Sequence, residues 1–388
     1  MTKIINGKII KEKEISEGEI LYFENGKIVD ITAEDKQADE VIDAEGNYVS
    51  PGFIDTHVHG GGGADVMDGT PDAIRKMART HLEHGTTAIC PTTAACGHKD
   101  LLRAIKAFKE VYSESGKNGL PHLLGMHLEG PNFAPSQAGA QDPDNIYPPR
   151  PEEYNEIFEL ADGLIVKWSF APELEGAVEF CDALVEHGIL PCIGHTDATY
   201  DDVIKVFEHG ATCLTHFYSA MSGITRKLGY RVAGVIESGY ILDDMWIEVI
   251  GDGAHIPPLL LKMICKLKST DKIMLITDAM RGATMPEGPS ILGVNTKCII
   301  EDGIAKMPDR TCFAGSVATT DRLVRTLYKQ AELPLYTVVS MMSANPAKAI
   351  KLSNKGKLMV GYDADILIFD DNINMKKVFV SGTEVFCS

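Results

Sequence analysis

The sequence predicts an α/β protein: a (β/α)8 TIM barrel carrying a small discontinuous β-sandwich domain formed by the N- and C-terminal segments. Three observations lead there. Apolar, strand-like runs alternate with amphipathic helical stretches through the middle of the chain, and near-continuous apolar strands separated by helices mean a parallel sheet covered on both faces. Eight such units fall within about 230 residues, which suits a barrel whose usual size is about 250. Both ends of the chain instead hold short strand-like runs broken by tight-turn pairs.

Residues 1–51 contain the turn pairs Asn6-Gly7, Asn25-Gly26 and Glu45-Gly46 between short apolar runs, the signature of β-hairpins. Residues 351–388 repeat the pattern in GKLMVGYDADILIFDD and KKVFVSGTEVF, with a Ser381-Gly382 turn. Neither end has enough strands to stand alone, so the two are expected to pair, with the barrel at 52–350 inserted between them. The eight barrel strands are GFIDTHVHG, TTAICPTT, LLGMHLEGP, LIVKWSFAPE, LPCIGHT, TCLTHFY, WIEVIGDGAH and KIMLITDAM. Helical stretches such as PDAIRKMARTHLEHG, EGAVEFCDALVEHG, YDDVIKVFEHG and PPLLLKMICKL separate them. An open doubly wound sheet is the alternative, but HGGGGAD after the first strand lacks the G-x-G-x-x-G spacing of its nucleotide turn.

With 388 residues the chain can bury a barrel-sized core and a satellite. A net charge of −18 repels phosphate-rich surfaces and so excludes nucleic acid or an anionic membrane as a partner. It leaves an anionic small substrate open, because a few basic groups can reverse the field inside a pocket. The N-terminal MTKIINGKIIKEKEI has no apolar signal region, and no run approaches a membrane-spanning length. Nine cysteines without a C-x-x-C pair look like core thiols in a reducing compartment. A cytoplasmic protein is expected.

In a barrel, catalytic groups sit at the C-terminal ends of the strands. Taken in order, those ends carry His57 and His59, Thr92 and Thr93, Glu129, Glu173, His195, His216, Asp252 with His255, and Asp278. Residues i and i+2 of a strand point to one side, so His57 and His59 project together, with four glycines behind them. Singly, each of these residues reads as a loop group satisfied by water. The same register yields a ligand type at five or more ends, and clustered His, Asp and Glu are what a divalent transition ion needs. A metal site is expected on this rim.

The segments PGFIDTHVHG, HLEGP (127–131), GHTDA (194–198), THFYSAM (215–221), DGAHI (252–256), TDAM (277–280) and AGS (314–316) resemble those of the N-acetylglucosamine-6-phosphate deacetylases, a branch of the amidohydrolase superfamily. The resemblance runs nearly end to end, and GYDADILIFD matches the superfamily's small β-domain. It implies hydrolysis of the acetamide of a phosphorylated aminosugar by a homodimer, with one or two divalent ions (Zn, Fe or Mn) per subunit. It places the metal ligands on Glu129, His195 and His216. It implies a second ion on His57 and His59 with Glu129 bridging, and it makes Asp278 the general acid/base, within reach of the metal.

The same resemblance places substrate contacts at Ala140 and Gln141, where the family has a small residue and a histidine, and at Ser219 and Ala220, where it has Asn-Ala. His255 matches a substrate-binding residue, and Phe313, Ala314 and Gly315 stand where Leu-Ala-Gly lines the sugar. The family's phosphate-binding arginine lies in a G-R-E-P-G turn, completed by a partner subunit's loop. This chain has SGITRKLGYRVAG there, which offers Arg226, Lys227 and Arg231. A glucosamine or a galactosamine substrate both fit these departures. A cyclic-amide hydrolase is a further alternative, since Lys167 in LIVKWSF lies on strand four, where other amidohydrolases carry a carboxylated, metal-bridging lysine. A purine-type aminohydrolase lacks its H-A-x-E-like helix here, and a metal-free scaffold predicts eroded ligands, whereas every ligand position is filled. His127, two residues before Glu129, is expected to buttress the metal site; His81, His84, His98, His122, His187 and His209 have no rim position.

Overall fold

A computed structural model describes residues 1–388. Eight parallel strands form the barrel: Phe53–Val58, Thr86–Thr93, Met126–Glu129, Ile165–Phe170, Leu190–Ile193, Cys213–Leu214, Trp246–Ile250 and Ile273–Ile276. These are the eight runs picked out in the sequence. Each pairs in parallel with the next. The ring closes where the Asp278 amide donates to the His57 carbonyl at 2.9 Å and the His59 amide to the Ala279 carbonyl at 2.8 Å. Every residue of strands one, two, three, seven and eight is buried, as a sheet covered on both faces requires.

The helical stretches fold as their signals direct. The helix Pro71–Leu82 begins on Thr70, whose side chain accepts from the Ala73 amide, with Pro71 at the first helical position. It buries Ala73, Ile74, Met77, Ala78, His81 and Leu82, a face at i, i+3, i+4 spacing. Ala177–Glu186, Tyr200–Glu208 and Pro258–Leu267 follow strands four, five and seven. No helix is long and apolar enough to cross a membrane.

The chain ends pair as expected. One sheet runs Lys27–Thr32, Ile20–Glu24, Thr2–Ile5, Glu40–Asp43; the other joins Thr383–Cys387, Met375–Val380 and Ile366–Phe369 to Tyr48–Pro51, Lys8–Ile10 and Ile15–Ser16. Tyr48–Pro51 lies antiparallel to Ile366–Phe369, Ser50 opposite Leu367. A separate core including Ile4, Ile9, Leu21, Phe23, Val49, Ile366 and Phe379 fills the space between the sheets.

One element lies outside the sequence reading. After strand eight the chain makes a three-stranded antiparallel sheet, Gly288–Leu292, Thr296–Glu301 and Ile304–Lys306, before the next helix at Thr320–Arg325. Its short apolar runs and its Asp302-Gly303 turn are legible as hairpin signals. The alternation of strand and helix, which predicts a helix directly after strand eight, obscures them.

A buried ion-pair network ties the barrel to the β-sandwich. Asp365 accepts from His122 at 3.1 Å, from Lys355 at 2.8 Å and from the Ser381 amide at 2.8 Å. Lys355 also reaches Asp363 at 2.7 Å. Burial raises the Asp365 carboxyl, but His122 and Lys355 outweigh it and bring it to about 2. Because its folded value lies below its unfolded value, the stabilisation is complete above about pH 4 and disappears as pH falls toward 2. Asp365→Asn is expected to destabilise the protein by about 3 kcal/mol near pH 7. Urea unfolding at stepped pH should show the gap between the two proteins closing between about pH 4 and 2; a gap constant across that window would place the effect elsewhere.

Candidate active site and metal centre

Three of the sequence-selected residues share one local geometry. His195, His216 and Asp278 each lie two positions past the end of their strand, after Ile193, Leu214 and Ile276. All three have left-handed backbones, with φ of 49°, 33° and 49°. Non-glycine residues adopt that region at a cost and persist there when the surroundings over-determine them. Here the kink coincides with a side chain turned in over the barrel mouth. Glu129 ends strand three, while His57 and His59 straddle the end of strand one.

These six side chains meet. The Nε2 atoms of His195 and His216 are 3.1 Å apart, and both approach Oε1 of Glu129, at 3.3 and 2.9 Å. The Nε2 atoms of His57 and His59 are 3.3 Å apart. His59 reaches Oε2 of Glu129 at 3.3 Å, and Asp278 Oδ1 lies 3.4 Å from His57 and 3.2 Å from His59. Glu129 thus belongs to two overlapping donor sets, one with His57 and His59 and one with His195 and His216, each set drawn within 4.8 Å. No member is more than 7% exposed.

The donor set fits divalent metal. Paired Nε2 atoms cannot satisfy one another in neutral imidazoles when both point lone pairs at the same space, whereas a cation between them satisfies both. Burial pushes the Glu129 carboxyl up, but His57, His195, His216 and His59 outweigh it and hold it well below the carboxylate range. Asp278 behaves alike: burial raises it, yet His57 and the His59 hydrogen bond bring it below its ordinary value. Both carboxylates are therefore anionic, as ligands must be.

Neighbouring groups hold the donors in place. His195 donates from Nδ1 to the Gln137 carbonyl at 2.8 Å, presenting Nε2 to the centre, and Phe133 stacks on its ring at 4.4 Å. His127 packs edge-on against His57 at 4.5 Å and bonds Ser169 at 2.7 Å, so it buttresses the site. Glu173 turns away, accepting from Thr196 and the Asp197 amide beside His195. Thr92 stays in the barrel, accepting from the Val58 amide. Of the histidines without a rim position, His81 bonds the Gly60 carbonyl and His209 pairs with Asp182.

Above the donors opens a cavity of about 530 Å³, the size of a small-molecule site. Ala140, Gln141, Ser219, Ala220, His255, Phe313 and Gly315 line it, while Ala314 is buried behind. Gln141 is less available than the sequence suggests. Its amide nitrogen donates to Glu129 Oε2 at 2.5 Å and its oxygen accepts from the Ala95 amide at 2.8 Å. His255 is oriented by Asp252, Nδ1 to Oδ2 at 2.8 Å. Arg226, Lys227 and Arg231 are not brought to this cavity. They lie on an exposed hairpin, Thr225–Lys227 with Tyr230–Val232. The cations that do line the cavity, Lys306 and Arg310, belong to the sheet after strand eight and the loop leaving it, and the sequence reading missed them with that sheet.

Comparisons with known proteins agree with this fold. The Amidohydrolase family model matches residues 48–385. The N-acetylglucosamine-6-phosphate deacetylase of Lysinibacillus sphaericus is 32% identical, over 93% of this chain and 92% of its own. The N-acetylgalactosamine-6-phosphate deacetylase of Escherichia coli O157:H7 is 29% identical, over 88% of this chain and 89% of its own. Among solved structures, the N-acetyl-D-glucosamine-6-phosphate deacetylase of Mycobacterium smegmatis, an aspartate-to-alanine variant in complex with N-acetyl-D-glucosamine-6-phosphate, superposes with a TM-score of 0.90 at 28% identity, covering 99% of this chain and 98% of that one. With its barrel, its six convergent histidine and carboxylate side chains and a family match spanning most of its length, this chain belongs to the amidohydrolase family.

Proposed function

We propose that this protein hydrolyses the acetamide of an N-acetyl-aminosugar 6-phosphate, converting N-acetyl-D-glucosamine 6-phosphate and water to D-glucosamine 6-phosphate and acetate. The observation that carries this is Asp278 Oδ1 poised 3.2–3.4 Å from the paired imidazoles at the floor of a cavity of sugar size. Glu129, His195 and His216 would hold one ion and His57 and His59 a second; when bound, such ions would make a water acidic enough to ionise near neutrality and polarise the acetyl oxygen. Asp278, anionic at rest, takes the proton of the attacking water and hands it to the sugar nitrogen as the C–N bond breaks. Acetic acid and a neutral amine are the direct products, and the acid's remaining proton passes to the amine, so that acetate and the ammonium form of the aminosugar leave. His255, held by Asp252, and the aromatic face of Phe313, 4.8 Å from the His255 ring, orient the sugar.

Lys306 and Arg310 of the same chain are the cations positioned to meet the phosphate, although each also pairs with Glu301, at 3.4 and 3.1 Å. The exposed hairpin is the second source. It carries Arg226, Lys227 and Arg231 beside Leu228 and Tyr230, which are 94% and 79% exposed, the composition of an arm that docks on a partner subunit of a homodimer. Galactosamine 6-phosphate is the second substrate reading, because relatives of both kinds match this chain at similar identity. The reaction belongs to aminosugar breakdown in the cytoplasm.

Acetate release from N-acetylglucosamine and N-acetylgalactosamine, each with and without 6-phosphate, tests the reading. Turnover is expected only with a phosphorylated sugar. Equal rates without phosphate would defeat it. Lys306→Ala with Arg310→Ala is expected to raise KM for the phosphorylated sugar about tenfold or more, the scale of a lost charge-assisted contact. If the triple replacement at 226, 227 and 231 does so instead, the phosphate site belongs to the hairpin.

A further inference from the structure

Beneath the ligand cluster, the barrel interior holds a buried ion pair that the proposed chemistry does not use. Lys167 of strand four and Glu248 of strand seven are 1% and 0% exposed, and the Lys167 ammonium contacts Oε1 of Glu248 across the barrel. The layers inside such barrels are ordinarily filled by branched apolar residues. Replacing a buried ion pair by well-packed apolar groups is often neutral or stabilising. Stability therefore gives no reason for Lys167 and Glu248 to be there.

Their other contacts supply one. Glu248 Oε2 lies 3.4 Å from Nδ1 of His57, and Oε1 accepts from Thr56 Oγ1 at 3.3 Å. His57 is thus gripped at Nδ1 from below, while its Nε2 faces Glu129, Asp278 and His59 above. An anionic acceptor at Nδ1 holds the proton there and turns the Nε2 lone pair upward. Lys167 supplies the positive charge that keeps Glu248 an anion in so dry a place. Carboxylation of Lys167 would exchange that cation for an anion and leave two buried anions in contact.

We infer that Lys167 and Glu248 are positioning residues which orient His57 for metal through a Lys167–Glu248–His57 relay. This rests on the metal reading of the proposed function. The test is Zn(II) calorimetry on metal-stripped protein, with thermal unfolding of the same samples. The ion that depends on His57 is identified by its loss in His57→Ala. Glu248→Gln is expected to weaken that ion about 10–100-fold, the usual cost of losing a partner of a metal-bound histidine. The charge-neutral double replacement Lys167→Met with Glu248→Gln should restore the thermal stability of the metal-free protein but not the affinity, and it carries the test if the single variant does not fold. Wild-type affinity in the double variant would reduce the pair to a space filler and overturn the inference. So would His57→Ala with unchanged binding, or a wild-type mass showing carboxylated Lys167. A parent protein that binds no Zn(II) would defeat the metal reading itself, a result seen before any variant is made.

Discussion

Asp278→Asn is expected to cut kcat by about 10²–10⁴-fold, the scale of losing a general acid/base, while KM stays within about threefold. Asparagine keeps the size of the side chain and an oxygen at the position 3.2–3.4 Å from His57 and His59. It cannot carry a proton from water to a departing amine, and an amide nitrogen expelled unprotonated is a very poor leaving group. KM should hold because the sugar and phosphate contacts proposed here, His255, Phe313, Lys306 and Arg310, lie on other segments of the cavity wall. Metal content has to be measured in the same sample, since Asp278 touches the histidines of one donor set. A variant that keeps its metal and more than about a third of wild-type kcat would remove Asp278 from the proton path. His255 would then be the next group to replace.

The second large effect concerns His195 and His216. Replacing both with alanine should abolish the ion they share with Glu129 and take acetate release to background. Two of three protein donors are lost, and the remaining carboxylate is anchored only by Gln141 and the imidazoles of strand one. Metal analysis by mass spectrometry, with activity after adding back Zn, Fe or Mn, checks it. Full occupancy in the double variant would relocate the metal. The loss should also register as a lower melting temperature of wild type after chelation, because an ion that binds only the folded chain stabilises it by mass action.

Much of this was legible in the chain itself. The H-x-H of strand one, HLEGP, GHT, TH and TDAM stand out because a ligand residue type recurs at one register of a repeated unit, and barrel geometry puts that register on a common rim. Local sequence also carries the barrel strands, since runs buried on both faces are predominantly apolar. His127 was legible by its period-two relation to Glu129.

Other features depend on distance in space rather than in sequence. Lys306 and Arg310 enter the cavity only because a three-stranded sheet follows strand eight and folds over the mouth. Arg226, Lys227 and Arg231, basic and near a rim strand in sequence, are carried away on a hairpin whose direction no local signal announces. Gln141 looked like a donor to the sugar, and the fold commits its amide to Glu129 and Ala95 instead.

The sequence by itself determined the repeating architecture, the pairing of the two ends and the residue types on the rim, because hydrophobic period and strand-end position are local properties. Only the tertiary structure decided which charges face one another: Glu129 between two histidine pairs, Lys167 against Glu248 across the barrel, and Lys306 rather than Arg226 at the cavity wall. Electrostatic partnership acts over a few ångströms, whereas these residues are separated by tens of positions along the chain. Packing brings them together, and spacing along the sequence does not report it.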